Sequence, residues 1–303
     1  MTYCYVCPHR CGVDRPESLQ DPAIATGEHY FGSCGCAMLP LVARAGLHHW
    51  EEPPISGTRG SGTVFFAGCN LHCVFCQNYD ISHNNKGKEI SIARLQQIYQ
   101  ELIAQGAHNI NLVTGTHFTE AIVKSLAEPL SVPVVYNTSG YETQDTLRKL
   151  KGKVQIYLPD LKYYNDKPAI KYSNANYYFR TATEAIKEMH RQVGDYAMDE
   201  DGIMQKGIII RHLLMPGLVE DSKKIIDWVA STFKPGQVMF SLMHQYIPHG
   251  RASEYPEINR KVTDEEYAEV EDYLMNSDIE DGFVQDGDAA CEEFIPTFDG
   301  TGV

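Results

Sequence analysis

The 303 residues suffice for one barrel-sized domain with a small appendage, and 43% hydrophobic against 22% charged residues is the balance of an ordinary globular protein. Lys and Arg number 26 against 40 Asp and Glu, a net charge of −14 that repels phosphate backbones and excludes nucleic acid as an expected partner. No run approaches the ~18 apolar residues of a transmembrane helix, and Met1-Thr2-Tyr3-Cys4 lacks the regions of a signal peptide, so a cytoplasmic protein with no membrane partner is expected.

Residues 1–60 read as a cysteine-rich, metal-binding preface that ends in a linker, and residues 61–303 as the main domain. Without an export signal, nine cysteines are better read as metal ligands than as disulfides, and eight of them precede residue 77. Cys4, Cys7, Cys11 and Cys34 would close a tetrahedral site, with Cys36 as a competing ligand. Three occupants stay open: structural zinc or a rubredoxin-like iron, an auxiliary iron–sulfur cluster, or no metal at all. Two prolines and three glycines within His48–Gly62 argue against regular structure there. His48 and His49 read as surface or packing residues ahead of metal ligands.

Thr63-Val64-Phe65-Phe66-Ala67 is β-branched and aromatic without alternation, the pattern of a strand buried on both faces. Cys69, Cys73 and Cys76 follow on the loop that leaves it. Three thiolates select a soft metal and leave one coordination position open, where a small molecule can bind. Ordinary buried cysteines and structural zinc are the competing readings.

With Phe75 before the last cysteine, this loop resembles the cluster loop of the radical S-adenosylmethionine superfamily. The run from Phe65 to Ser82 is similar to the pyruvate formate-lyase-activating-enzyme-like subgroup, whose members also open with Cys-x-x-Cys-Pro-x-x-Cys segments. The resemblance implies a partial (β/α)6 TIM-like barrel and a 4Fe-4S cluster on three cysteines, whose fourth iron chelates S-adenosylmethionine. It also implies an electron donor of flavodoxin or ferredoxin type, and a 5′-deoxyadenosyl radical that takes hydrogen from a substrate. For an activase that substrate is a glycine of a glycyl-radical enzyme. A small-molecule or peptide-modifying enzyme is the alternative, and a non-catalytic iron–sulfur electron carrier a more distant one. Glu51 and Glu52 read either as a solvated turn or, as in related sequences, as a pair directed into the active site.

Helix and strand then alternate: 90–103 then 110–114, 118–127 then 132–138, 143–150 then 154–161, 178–194 then 207–215, and 220–232 then 237–243. With the opening strand this makes six, an α/β pattern that implies parallel pairing through right-handed crossovers; an open doubly wound sheet is the runner-up. Polar residues gather at the strand ends. Thr114 and Gly115 stand where related enzymes have a Gly-rich motif at the cofactor's amino group. Asn137 and Ser139 suit ribose hydroxyls. Asp160 and Lys162 look like the activase Asp-x-Lys motif and share one face of a strand. Arg211 is similar to the basic residue that approaches the methionine carboxylate, whereas His212 points to the opposite side. Thr263–Glu266 reads as a capping box opening a helix to Leu274. Residues 285–303, with Cys291, read as a poorly ordered acidic tail.

Overall fold

In the computed structural model, the described residues are 3–27, 31–285 and 296–303. All six expected strands form, with four more segments paired to the sheet: β1 (Leu41–His48), β2 (Ser61–Phe66), β3 (Lys88–Glu89), β4 (Ile110–Val113), β5 (Val134–Thr138), β6 (Ile156–Pro159), β7 (Ala197–Met198), β8 (Met204–Leu213), β9 (Met239–Met243) and β10 (Gly282–Val284). The spatial order is β10-β9-β8-β6-β5-β4-β2-β1-β3, with β7 paired to β8 off this path. From β2 to β10 every pairing along that path is parallel, and helices cross between successive strands, at 92–104, 119–125, 144–150, 178–193 and 219–232. Among the described residues β10 does not pair with β1 or β3, so the sheet curls into an open barrel. No described helix is long and apolar enough to cross a membrane.

Three expectations need correction. The sheet begins at Leu41 rather than near residue 61, because Val42–His48 pair antiparallel with Phe66–Ser61. The linker is not irregular throughout: Pro53 and Pro54 fall in the first turn of a one-turn helix, where a missing N–H costs nothing. Ile55 of that turn is fully buried with Val135, Ile156, Leu158, Met204, Ile209 and Met239, and its carbonyl accepts from Asn109 Nδ2 at 2.7 Å. The linker therefore plugs the N-terminal end of the barrel. Third, although Cys291 and most of the expected tail lie outside the described residues, 296–303 are packed against β1. Ala45 N–H donates to Thr301 O at 2.9 Å, and Phe298 meets Phe65 edge to face at 5.4 Å between centroids.

The expected capping box is present, Thr263 and Glu266 exchanging bonds at the start of the 264–275 helix. Among the described residues of 3–40 the regular structure is a 3-10 turn at Pro22–Ile24 and an isolated bridge between Tyr3 and Asp14.

Candidate active site

The loop leaving β2 turns at Gly68, with φ +79°, a conformation that L side chains rarely adopt; its N–H donates to Ile81 O at 2.7 Å. A side chain there would also strike the sulfur of Cys36. Past this turn the three cysteines face one cavity of about 250 Å3. Each sulfur accepts a hydrogen bond: Cys69 from the Leu71 amide at 3.3 Å, Cys73 from the Ser173 hydroxyl at 3.0 Å, and Cys76 from the Ser82 hydroxyl at 3.3 Å. Burial pushes the Cys69 thiol up to about 11 and the Cys73 thiol up to about 12, so their anionic forms are disfavoured without a cation to replace the lost water.

Phe75, Thr114, Asn137, Ser139, Asp160, Lys162 and Arg211 line the same cavity, as the strand-end pattern predicts. Gly115 does not: a side chain there would meet Ile122 at 2.5 Å, so this glycine serves helix packing. Thr114 adopts φ +60°, a strained conformation for a β-branched residue, of the kind that clusters at functional sites. The hydroxyl of Ser139 is buried without a hydrogen-bond partner.

Lys162 Nζ bonds Asp160 Oδ2 at 2.6 Å, both side chains at most 15% exposed. Burial works against the lysine's charge, but Asp160 outweighs it and Lys162 is held above its ordinary value. Asp160 stays below its own, since Lys162 and Arg211 overcome the cost of burying it. Arg211 is fully engaged: Nε to Asp160 at 3.0 Å, one terminal nitrogen to Glu51 at 3.1 Å, the other to Asn137 at 2.6 Å. The expectation that Arg211 serves a cofactor rather than the barrel thus meets a guanidinium already gripped by the barrel. His212 faces the other way, between Leu161 O and Ser222 Oγ, both at 2.7 Å.

Of the two readings of Glu51 and Glu52, the inward one is found. Glu52 is buried, and the Glu51 side chain, 10% exposed, lines the chamber; Glu51 Oε1 accepts from Asn111 at 3.1 Å and Asn137 at 3.2 Å, and burial raises both carboxyls above the usual range. Glu142 was missed altogether. It accepts from Thr116 at 2.6 Å and from Thr138, tying together the ends of β4 and β5, and burial pushes it up to about 7. The available signal was a lone acid just after the turn that ends β5. Ser82 and Ser173 were also missed, since nothing local marks a serine as facing a distant sulfur.

In the preface, Cys4, Cys11 and Cys34 are all near enough to Cys7 to act on it electrostatically. Cys36 instead points at the cluster loop, its thiol donating to Cys34 O at 3.3 Å and Ala67 O at 3.7 Å. Among the described residues no three His, Cys, Asp or Glu side chains close tightly enough to enclose an ion, and this is as true of the barrel thiols as of the preface thiols.

Residues 63–229 match the Radical SAM superfamily. An uncharacterized protein of Methanocaldococcus jannaschii is 33% identical over 281 residues, which cover 89% of this chain and 73% of that protein. The chain belongs to the Radical SAM superfamily. It is accordingly an enzyme of the radical S-adenosylmethionine oxidoreductase type, with a 4Fe-4S cluster and S-adenosylmethionine as cofactors and a need for a reductant. Similar solved structures include methylornithine synthase, with a TM-score of 0.47 and 14% identity over 68% of this chain and 59% of that one. A spore photoproduct lyase variant gives 0.49 and 12% over 73% and 76%. SuiB of Streptococcus suis bound to S-adenosylmethionine gives 0.46 and 11% over 72% and 48%.

The donor set fits these cofactors. Three soft ligands face a single chamber, hydrogen-bond donors already point at their sulfurs, and a buried cation and a partnerless hydroxyl stand beside them.

Proposed function

We propose that Cys69, Cys73 and Cys76 hold the 4Fe-4S cluster and that Thr114, Asn137, Ser139, Asp160 and Lys162 receive S-adenosylmethionine beside it. The observation that carries this reading is the convergence of three hydrogen-bonded sulfurs and the Lys162–Asp160 pair on one cavity. When bound, the cluster supplies the electron that breaks the cofactor's sulfonium bond. The chain's own residues orient and screen. Ser82, Ser173 and the Leu71 amide stabilise negative charge on the sulfurs they bond. Lys162, kept charged by Asp160, offers a cation to a carboxylate, and the Ser139 hydroxyl is free to meet a ribose. Arg211 acts through others, fixing Asn137 and Asp160. The apolar walls of Phe65, Phe75 and Met243 keep water from the reacting centre.

The substrate we infer is a polypeptide, with hydrogen taken from a backbone glycine of a glycyl-radical enzyme as in an activase. Support comes from the Asp160-Leu161-Lys162 sequence at the end of β6. The cavity also shares Gln77 and Pro296 with an adjoining cleft of about 820 Å3, room for an extended chain. Electrons would come from a flavodoxin- or ferredoxin-type donor.

The test is to incubate the reduced full-length protein and S-adenosylmethionine with a glycyl-radical enzyme deuterated at its glycines. Deuterium in the released 5′-deoxyadenosine is expected. Release of unlabelled 5′-deoxyadenosine with that protein, alongside labelling from a deuterated small molecule, would rule out the glycine substrate.

A further inference from the structure

The preface has almost no apolar interior. Among its described residues before Leu41 the buried apolar side chains are Cys7, Cys34, Cys36 and Ala37 with two prolines, Pro16 and Pro40, so thiols stand where a core would be. The backbone nonetheless folds tightly around them. Cys4 N–H donates to Val13 O at 2.8 Å, Gly12 N–H to Cys4 O at 3.0 Å, and Arg10 N–H to Cys7 O at 3.0 Å. The sulfur of Cys7 accepts from the His9 amide, and that of Cys11 from the Ser33 amide at 3.2 Å, which draws the second cysteine segment onto the first. Amide-to-sulfur bonds of this kind support thiolates. Arg15 supplies an independent sign. Its guanidinium is buried beside Cys34, yet its hydrogen bonds go to the carbonyls of Cys36, Ala37 and His117 rather than to a carboxylate. A buried cation so placed needs an anion, and four thiolates on a divalent ion carry a net negative charge.

We propose that Cys4, Cys7, Cys11 and Cys34 hold one divalent transition-metal ion, zinc or iron, as a closed four-thiolate site, and that this ion clamps the preface onto the cluster loop. Cys36 stays outside the set as a donor to it: its thiol hydrogen-bonds to the sulfur and carbonyl of Cys34 and to Ala67 O. The clamp is a set of contacts with the residues around Cys69: the His9 ring to Asn70 O at 2.6 Å, Cys36 to Ala67 O, and Arg15 to His117 O at 2.8 Å. The proposal stands apart from any reading of the substrate.

Zinc, iron and inorganic sulfide are measured per chain in the full-length protein purified without oxygen. One zinc, or one iron unaccompanied by sulfide, is expected beyond the cluster's own iron; the two cases separate the two metals and both support the site. The Cys7→Ser/Cys11→Ser double variant should lose that ion and keep the cluster, while Cys36→Ser keeps both. Loss of the ion should also raise amide hydrogen exchange severalfold across residues 67–72. The site is overturned if the additional iron comes with matching sulfide, or if Cys36→Ser loses the ion while Cys34→Ser retains it. Unchanged exchange at 67–72 overturns the clamp. Should the double variant fail to fold, the parent chain decides: metal content with nothing beyond the cluster overturns the proposal.

Discussion

The barrel thiols and the preface thiols solve opposite problems with the same side chain. Cys69, Cys73 and Cys76 face a chamber shared with Lys162, Asp160 and Ser139, and besides amides of their own loop their sulfurs take two hydroxyl donors, from Ser82 and Ser173. In the preface the sulfur donors are amides of the cysteine loops themselves, from His9 and Ser33. On the ligand sets proposed above, coordination number is decided by surroundings. Three ligands on a chamber leave room for chemistry, whereas four ligands in place of a core leave room only for a fold.

If the barrel interior is a preorganised framework and the preface is not, the barrel should be the more sensitive to loss of one charge. Arg211→Gln leaves Glu51 without its cation and Asp160 with Lys162 alone, and the expected cost is about 3–5 kcal/mol, read from urea unfolding of the full-length chain. A cost near zero would mean the network is not fixed.

A smaller effect attaches to Glu142, which burial pushes up to about 7. Below about pH 4.5 its carboxyl is protonated in folded and unfolded chains alike. Between 4.5 and 7 only the folded chain keeps the proton, so stability falls as pH rises and the loss is complete above 7. Glu142→Gln should remove that slope and gain up to about 3 kcal/mol at pH 8 relative to pH 4, on the usual ~1.4 kcal/mol per pH unit. Parallel pH profiles for parent and variant would show that the carboxyl titrates normally.

The smallest effect sharpens the contrast between hydroxyl and amide donors. Ser173→Ala removes one bond to Cys73 sulfur, so the reduced cluster is less well stabilised and its potential should become more negative in a redox titration. An unchanged potential would assign Ser173 to packing alone.

Much of the barrel was legible because parallel strands buried on both faces are written as uninterrupted apolar runs, and helical spacing between them fixes the crossovers. β1 escaped because Leu41–His48 lie between a cysteine cluster and a proline-rich linker, and their pairing with β2 depends on partners beyond that linker, from Ser61 opposite His48 to Phe66 opposite Val42. Polar residues in apolar strands marked Asn137, Asp160 and Arg211 as candidates, and all three line the chamber. They did not reveal that Arg211 would be gripped by Glu51, because the linker's path into the barrel is a tertiary fact. Gly115 shows the converse error: a glycine at a strand end can serve a helix packed behind it as well as a ligand in front.

The central claim is that Cys69, Cys73 and Cys76 alone form the open site. The direct measurement is the paramagnetic spectrum of the dithionite-reduced, anaerobically reconstituted full-length chain with and without S-adenosylmethionine, compared with a variant in which these three cysteines are alanine and Cys4, Cys7, Cys11 and Cys34 are intact. The parent should give a cluster signal that shifts on adding the cofactor, and should release 5′-deoxyadenosine; the variant should give neither. A variant that keeps the cofactor-sensitive signal would contradict the account.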